Sequence, residues 1–199
     1  MPPTKSRLIL ASNSASRKAM LEGVGIAFEA MPSGVDEAAI KSGFSGPPAA
    51  LATALAKAKA GAIATRHPDA LVIGSDQLLV CGGDIYDKPR DLAEAAQHLQ
   101  ALSGRTHELV TAVCLVQAGE TAWLHVARVT LSMRNLSDAF LQQYLTAEGD
   151  ALLHCVGAYR LEGLGAQLFT SIEGDYFTVL GLPLLALLGA LRARDVLLV

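Results

Sequence analysis

Residues 7–24 pass from strand to helix through one short turn, and this limits the folds open to the chain. Arg7-Leu8-Ile9-Leu10-Ala11 is an apolar run of strand length, Ser12-Asn13-Ser14-Ala15-Ser16-Arg17-Lys18 is hydroxylated and then cationic, and Met20, Leu21 and Val24 recur at the helical period. A strand that feeds directly into a helix begins an α/β unit. Backbone amides at a helix N-terminus carry partial positive charge and serine hydroxyls donate hydrogen bonds. With Arg17 and Lys18 one turn in, the segment suits an anion such as phosphate. The same residues also make an ordinary helix cap, where Ser and Asn are preferred. On this segment alone both readings stay open.

The pattern continues in kind. Residues 25–31 read as a second strand ending at Pro32, and Pro32-Ser33-Gly34-Val35-Asp36-Glu37 as a loop ending in two carboxylates. An Ala-rich segment from Pro47 or Pro48 to Ala64 reads as a long helix with Leu51, Ala54, Leu55 and Ala58 on one face. Lys57 and Lys59 lie near its middle, where a lysine is expected to reach solvent. Residues 70–74 form a continuous apolar run, the mark of a strand buried on both faces, and it ends at Ser75-Asp76-Gln77. Residues 78–86 read as a hairpin about Gly82-Gly83, followed by the charged turn Asp87-Lys88-Pro89-Arg90-Asp91 and a helix over 92–102. A strand of alternating character over 104–116 is expected to pair antiparallel with 122–131, and Ser137 to cap a helix running to about Leu145. The last third holds glycine-rich turns, an apolar strand over 167–172 and a helix over 183–191. The pattern predicts an α/β fold with a mixed, partly antiparallel central sheet flanked by helices, two lobes about a cleft, and one domain over 1–199.

Composition narrows the partners. A formal charge of −3 gives no basic footprint, so a nucleic acid polymer is not the expected partner. The longest apolar stretch, over 179–191, is broken by Gly181, Pro183 and Gly189, which speaks against a membrane helix. Residues 1–5 carry no apolar signal core, and a cytoplasmic location is expected. Cys81, Cys114 and Cys155 show no CxxC pair, and the five histidines show no ligand spacing, so any metal is expected on oxygen.

Among the carboxylates Asp76 stands out, because open α/β sheets place ligands at strand ends. A carboxylate there binds Mg²⁺ or activates water. Lys88 and Arg90 flank a stiffening proline, which suits fixed recognition of phosphate oxygens, and a solvated turn with Asp91 capping the next helix is the plainer alternative.

These residues fall in ordered blocks that resemble the Maf family of nucleoside triphosphate pyrophosphatases over nearly the whole chain. The blocks are Leu8-Ile9-Leu10-Ala11-Ser12-Asn13-Ser14-Ala15-Ser16-Arg17, Val35-Asp36-Glu37, Leu55-Ala56-Lys57-Ala58-Lys59-Ala60, Ile73-Gly74-Ser75-Asp76-Gln77 and Asp87-Lys88-Pro89-Arg90-Asp91. Leu102-Ser103-Gly104-Arg105-Thr106-His107, Gly157-Ala158-Tyr159 with Glu162-Gly163-Leu164-Gly165, and Gly181-Leu182-Pro183-Leu184 complete the set.

The resemblance implies a Maf/ITPase-like fold around a nucleotide-binding cleft. It also implies hydrolysis of a nucleoside triphosphate between its α and β phosphates, with Mg²⁺ or Mn²⁺ as cofactor, and a possible homodimer. Asp76, Glu37 and Lys59 are then the catalytic residues, with Asp76 and Glu37 on the metal, and Ser12, Ser14, Arg17 and Lys88 hold phosphate. Ser16, Gln77 and Glu162 are linked by the resemblance to base choice, and Gln77 with Glu162 looks like the branch acting on 7-methyl-GTP. Ser16 matches neither that branch nor the one acting on dTTP and UTP. A pyrimidine triphosphate pyrophosphatase and a non-catalytic nucleotide-binding regulator of septum formation are the alternatives.

Overall fold

The computed structural model describes residues 7–197, so the reading of residues 1–5 lies outside the described residues. Seven strands make one mixed sheet: β1 (Leu8–Leu10), β2 (Glu29–Ala30), β3 (Leu71–Cys81), β4 (Asp84–Tyr86), β5 (Thr106–Gln117), β6 (Glu120–Met133) and β7 (Phe169–Glu173). Their order is β2-β1-β3-β5-β6-β7, with β4 on β3. β1 is parallel to β2 and β3, whereas β4 and β7 run antiparallel to β3 and β6. The helices are α1 (Ala15–Gly23), α2 (Glu37–Ser42), α3 (Pro48–Ala64), α4 (Leu92–Leu102), α5 (Asp138–Glu148), α6 (Tyr176–Val179) and α7 (Leu184–Arg192). None of the described helices is long and apolar enough to cross a membrane.

The chain divides into two compact units, one made of residues up to Asp76, Thr111–Ala127 and residues from Gly181, the other of Gln77–Val110 and Arg128–Leu180. In the first, β1 is buried along its whole length, as its unbroken apolar sequence requires. α3 buries Leu51, Ala52, Leu55, Ala56, Ala60 and Ile63, while Ala54 and Ala58, expected on that face, are half-buried. Alanine on the inner face lets the helix approach β3 closely. At Gly74 a Cβ would strike the Ala56 carbonyl oxygen and lie 2.8 Å from the Ala60 Cβ, so only glycine fits beneath the helix. The second unit has its own core, in which Leu99 of α4, Leu109 of β5, Leu131 of β6 and Tyr144 of α5 are buried together. Its helices start where capping chemistry dictates, since Asp91 accepts from the Glu94 amide and Ser137 from the Phe140 amide.

Several expectations are corrected. β3 does not end before Asp76 but runs through it to Cys81, absorbing the first arm of the expected hairpin. It pairs with β1 over Leu71–Ile73 and with β4 over Leu79–Cys81, so Asp76 lies in a stretch joined to neither. Glu37 opens a helix rather than closing a loop, because the Asp36 side chain caps α2. β2 is two exposed residues long, and β7 is exposed where an apolar strand was expected. Val24 caps the end of α1 and is exposed. β5 is buried on both faces instead of alternating.

Candidate functional site

The first unit gathers most of the residues singled out above. The chain leaves β1 at Ala11, and Ser14 caps α1 by accepting the Arg17 amide on its side chain at 3.4 Å. Ser12 Oγ in turn accepts the Ser14 amide at 3.1 Å and Arg17 Nη1 at 3.3 Å. Arg17 Nε donates to the Gly181 carbonyl at 2.7 Å, and Ser75 Oγ donates to the same oxygen at 3.1 Å. One backbone carbonyl therefore ties the turn, α7's approach and the strand carrying Asp76. Neither Ser75 nor Gly181 was singled out in the sequence, although both lie inside matched blocks. Burial lowers the Arg17 guanidinium below its ordinary value, while Asp76 and Glu37 oppose the shift. It remains a cation, as arginine does in proteins. Ser16 is the second residue of α1 and half-buried.

Lys59 is the main correction at the site. The Ala-rich helix suggested an exposed lysine, but Lys59 is 7% exposed. Its ammonium lies 2.6 Å from Asp76 Oδ1 and 2.8 Å from Glu37 Oε1. Burying a lysine is costly unless a carboxylate meets it, and here two do. The close seat of α3 over Gly74 brings the lysine within reach of β3. The Asp76 side chain is itself 8% exposed and Glu37 43%, so the group opens on the Glu37 side.

This arrangement also tests whether a metal fits. A cationic nitrogen already bridges one oxygen from each carboxylate, and both are hard donors of the kind Mg²⁺ and Mn²⁺ prefer. No cluster of three or more His, Cys, Asp or Glu side chains suited to a metal occurs among the described residues. Two carboxylates alone would leave the other positions of such a cation to water and substrate phosphates.

Gln77, Lys88 and Glu162 belong to the second unit. Gln77 Nε2 donates to the Thr178 carbonyl at 2.8 Å, which fixes the amide's orientation. Lys88 is exposed beside buried Pro89, and Arg90 pairs with Glu94 at 2.9 Å on the surface. Glu162 lies 3.7 Å from Arg160. The Cys155 thiol is raised to about 11 by burial first and then by Glu162, with Arg160 and Lys88 opposing, so these charges share one neighbourhood.

A mixed α/β fold that sets two cations and two carboxylates beside a helix N-terminus defines a class of protein suited to phosphate oxygens. The chain belongs to the Maf-like protein family, whose model matches residues 7–194. It is 49% identical over 189 residues to a 7-methyl-GTP pyrophosphatase of Rhizobium etli, covering 94% of this chain and 95% of that one. It is 51% identical over 193 residues to a 7-methyl-GTP pyrophosphatase of Rhizobium meliloti, covering 94% and 96%. It is also 51% identical over 194 residues to a nucleoside triphosphate pyrophosphatase of Granulibacter bethesdensis, covering 96% and 98%.

Proposed function

We propose that this protein hydrolyses a nucleoside triphosphate to the monophosphate and pyrophosphate, with a modified guanine nucleotide such as 7-methyl-GTP preferred. The observation that carries the activity is Lys59 held between Asp76 and Glu37, with Arg17 close enough for both carboxylates to act on it. Named relatives at about half identity act on the same class of substrate.

In this reading Asp76 orients a water and accepts its proton as the oxygen attacks phosphorus in line. The α–β bridging P–O bond breaks, and the electron pair leaves with pyrophosphate. Ser12, Ser14, Arg17 and Lys88 bind phosphate oxygens, and Lys59 moves from carboxylate to phosphate partners as the substrate's negative charge arrives. Asp76 and Glu37 would hold Mg²⁺ or Mn²⁺, which neutralises phosphate charge when bound. For the base, a carboxylate at Glu162 accepts hydrogen bonds from the N1–H and exocyclic amine of guanine and favours the positive charge of a 7-methylated ring.

Pyrophosphate release from 7-methyl-GTP, GTP, UTP and dTTP with Mg²⁺ tests both parts. The expected order places 7-methyl-GTP first, and Asp76→Asn lowers turnover by about 10²–10⁴-fold, the usual share of a general base, while nucleotide still binds. Preference for UTP or dTTP overturns the guanine assignment. No turnover of any triphosphate by the intact protein leaves the nucleotide-binding regulator in place of the enzyme.

A further inference from the structure

We propose that Glu148 is the positioning residue for Glu162, setting where that carboxylate stands and so how strongly a cationic base is preferred. The inference rests on the reading that Glu162 meets the base. Glu148 is the last residue of α5, and its side chain is 7% exposed. A carboxylate at that depth needs partners, and each of its oxygens has one. Oε1 accepts the Leu164 amide at 2.6 Å and Oε2 accepts Arg160 Nη1 at 3.2 Å. Arg160 then presents Nε to Glu162 Oε1 at 3.7 Å.

The links close a ring, because Glu148 grips the turn at Arg160 and again at Leu164, with Glu162 between. Nothing slack lies beneath it. At Gly163 a Cβ would strike Glu148 Oε1 and lie 3.2 Å from its Cδ, so the turn rests directly on the buried carboxylate. The Arg160–Glu162 pair by itself cannot fix Glu162, since both side chains are about a third exposed and such pairs hold weakly. Its hold is strengthened because Arg160 is already anchored on the buried side by Glu148. Sharing the guanidinium with Glu148 divides Arg160's charge between two carboxylates, so Glu162 keeps more of its pull on a positively charged ring than it would with Arg160 to itself.

Glu148→Gln removes that competition. Arg160 then turns fully to Glu162, and the ratio of kcat/KM for 7-methyl-GTP over GTP is expected to fall about tenfold, mainly through KM, a change of about 1.4 kcal/mol. The kcat for GTP stays near that of the unaltered enzyme. Arg160→Lys, whose single ammonium cannot serve two carboxylates as a planar fork does and stays with the buried Glu148, withdraws that countercharge from Glu162, so the same ratio rises instead, and this variant serves should the first fold poorly. In a Glu162→Gln background, Glu148→Gln has no further effect on the ratio.

A purely structural strut lowers kcat/KM for both nucleotides equally with a loss of thermal stability, and that result overturns the proposal. So does an unchanged ratio in Glu148→Gln alongside a reduced one in Glu162→Gln. If Glu162→Gln itself leaves the ratio unchanged, the reading of Glu162 falls first and the inference falls with it.

Discussion

Lys59 shows how a single buried cation organises a site. Its ammonium satisfies Asp76 at 2.6 Å and Glu37 at 2.8 Å, so removing it leaves one carboxylate buried and unpaired. Lys59→Met is expected to cost about 3 kcal/mol in urea unfolding, nearly all of it from Asp76, because Glu37 reaches solvent. Adding Asp76→Asn should recover most of that loss. A cost below 1 kcal/mol for the single variant, or simple additivity in the pair, would show that the ion pair does not hold this region together. Asp76 was legible in the sequence because an apolar run points to it. Lys59 was legible only through the family resemblance, since its main partner lies 17 residues away and nothing in an Ala-rich period marks one lysine as buried. Gln77 and Glu162 were visible only through the family resemblance. Glu148 was not visible at all, because the helical pattern of α5 fades at Leu145 while the helix continues to Glu148.

At the scale of elements, the contact between α3 and β3 determines whether those residues meet. At Gly74 the two are so close that a Cβ would strike the Ala56 carbonyl oxygen, and Gly74→Ala is expected to push the helix outward. The overpacking should cost roughly 1–3 kcal/mol in unfolding and lower kcat by weakening the Lys59–Asp76 contact. Ala60→Gly made in the same chain removes the Ala60 Cβ contact but not the clash with the Ala56 carbonyl oxygen, so it should restore neither activity nor stability and adds about 1 kcal/mol for glycine within a helix. Full activity in Gly74→Ala alone would mean the helix can yield without moving Lys59. Long elements with a clear period, such as α3 and α4, were readable from sequence to within a residue or two. α2 was not, because it is six residues long with none buried and so leaves no apolar period to read. The end of β3 was misplaced for a related reason. A polar Ser75-Asp76 pair resembles a strand end, yet both are buried and their partners, Gly181 and Lys59, lie elsewhere in the chain.

For the molecule as a whole, helix–strand alternation and the antiparallel pair were enough to predict a mixed α/β sheet. The strand order was not predictable, since it depends on which buried faces meet and not on the period of any one segment. The blocks Leu102-Ser103-Gly104-Arg105-Thr106-His107 and Gly157-Ala158-Tyr159 give the clearest case of distant segments meeting. His107 Nε2 pairs with the Tyr159 hydroxyl at 2.9 Å, and both residues are buried in the second unit. Burial holds the tyrosine well above its usual range, so its hydroxyl keeps its proton. The imidazole is lowered by burial from 6.5 to about 4, and its Nδ1 has no hydrogen-bond partner to receive an added proton. The unfolded chain therefore binds a proton at His107 below about 6.5 that the folded chain refuses until about 4. Its contribution to stability is fully present above 6.5 and is lost as pH falls towards 4, up to about 3 kcal/mol by linkage. Urea unfolding from pH 7 to pH 4.5 should show His107→Gln losing less stability than the unaltered protein, because an amide keeps a bond to Tyr159 without titrating. The carboxylates titrate in both proteins, so the difference between the two curves isolates His107. Parallel curves over that range would mean that solvent reaches the imidazole and that this histidine does not limit acid stability.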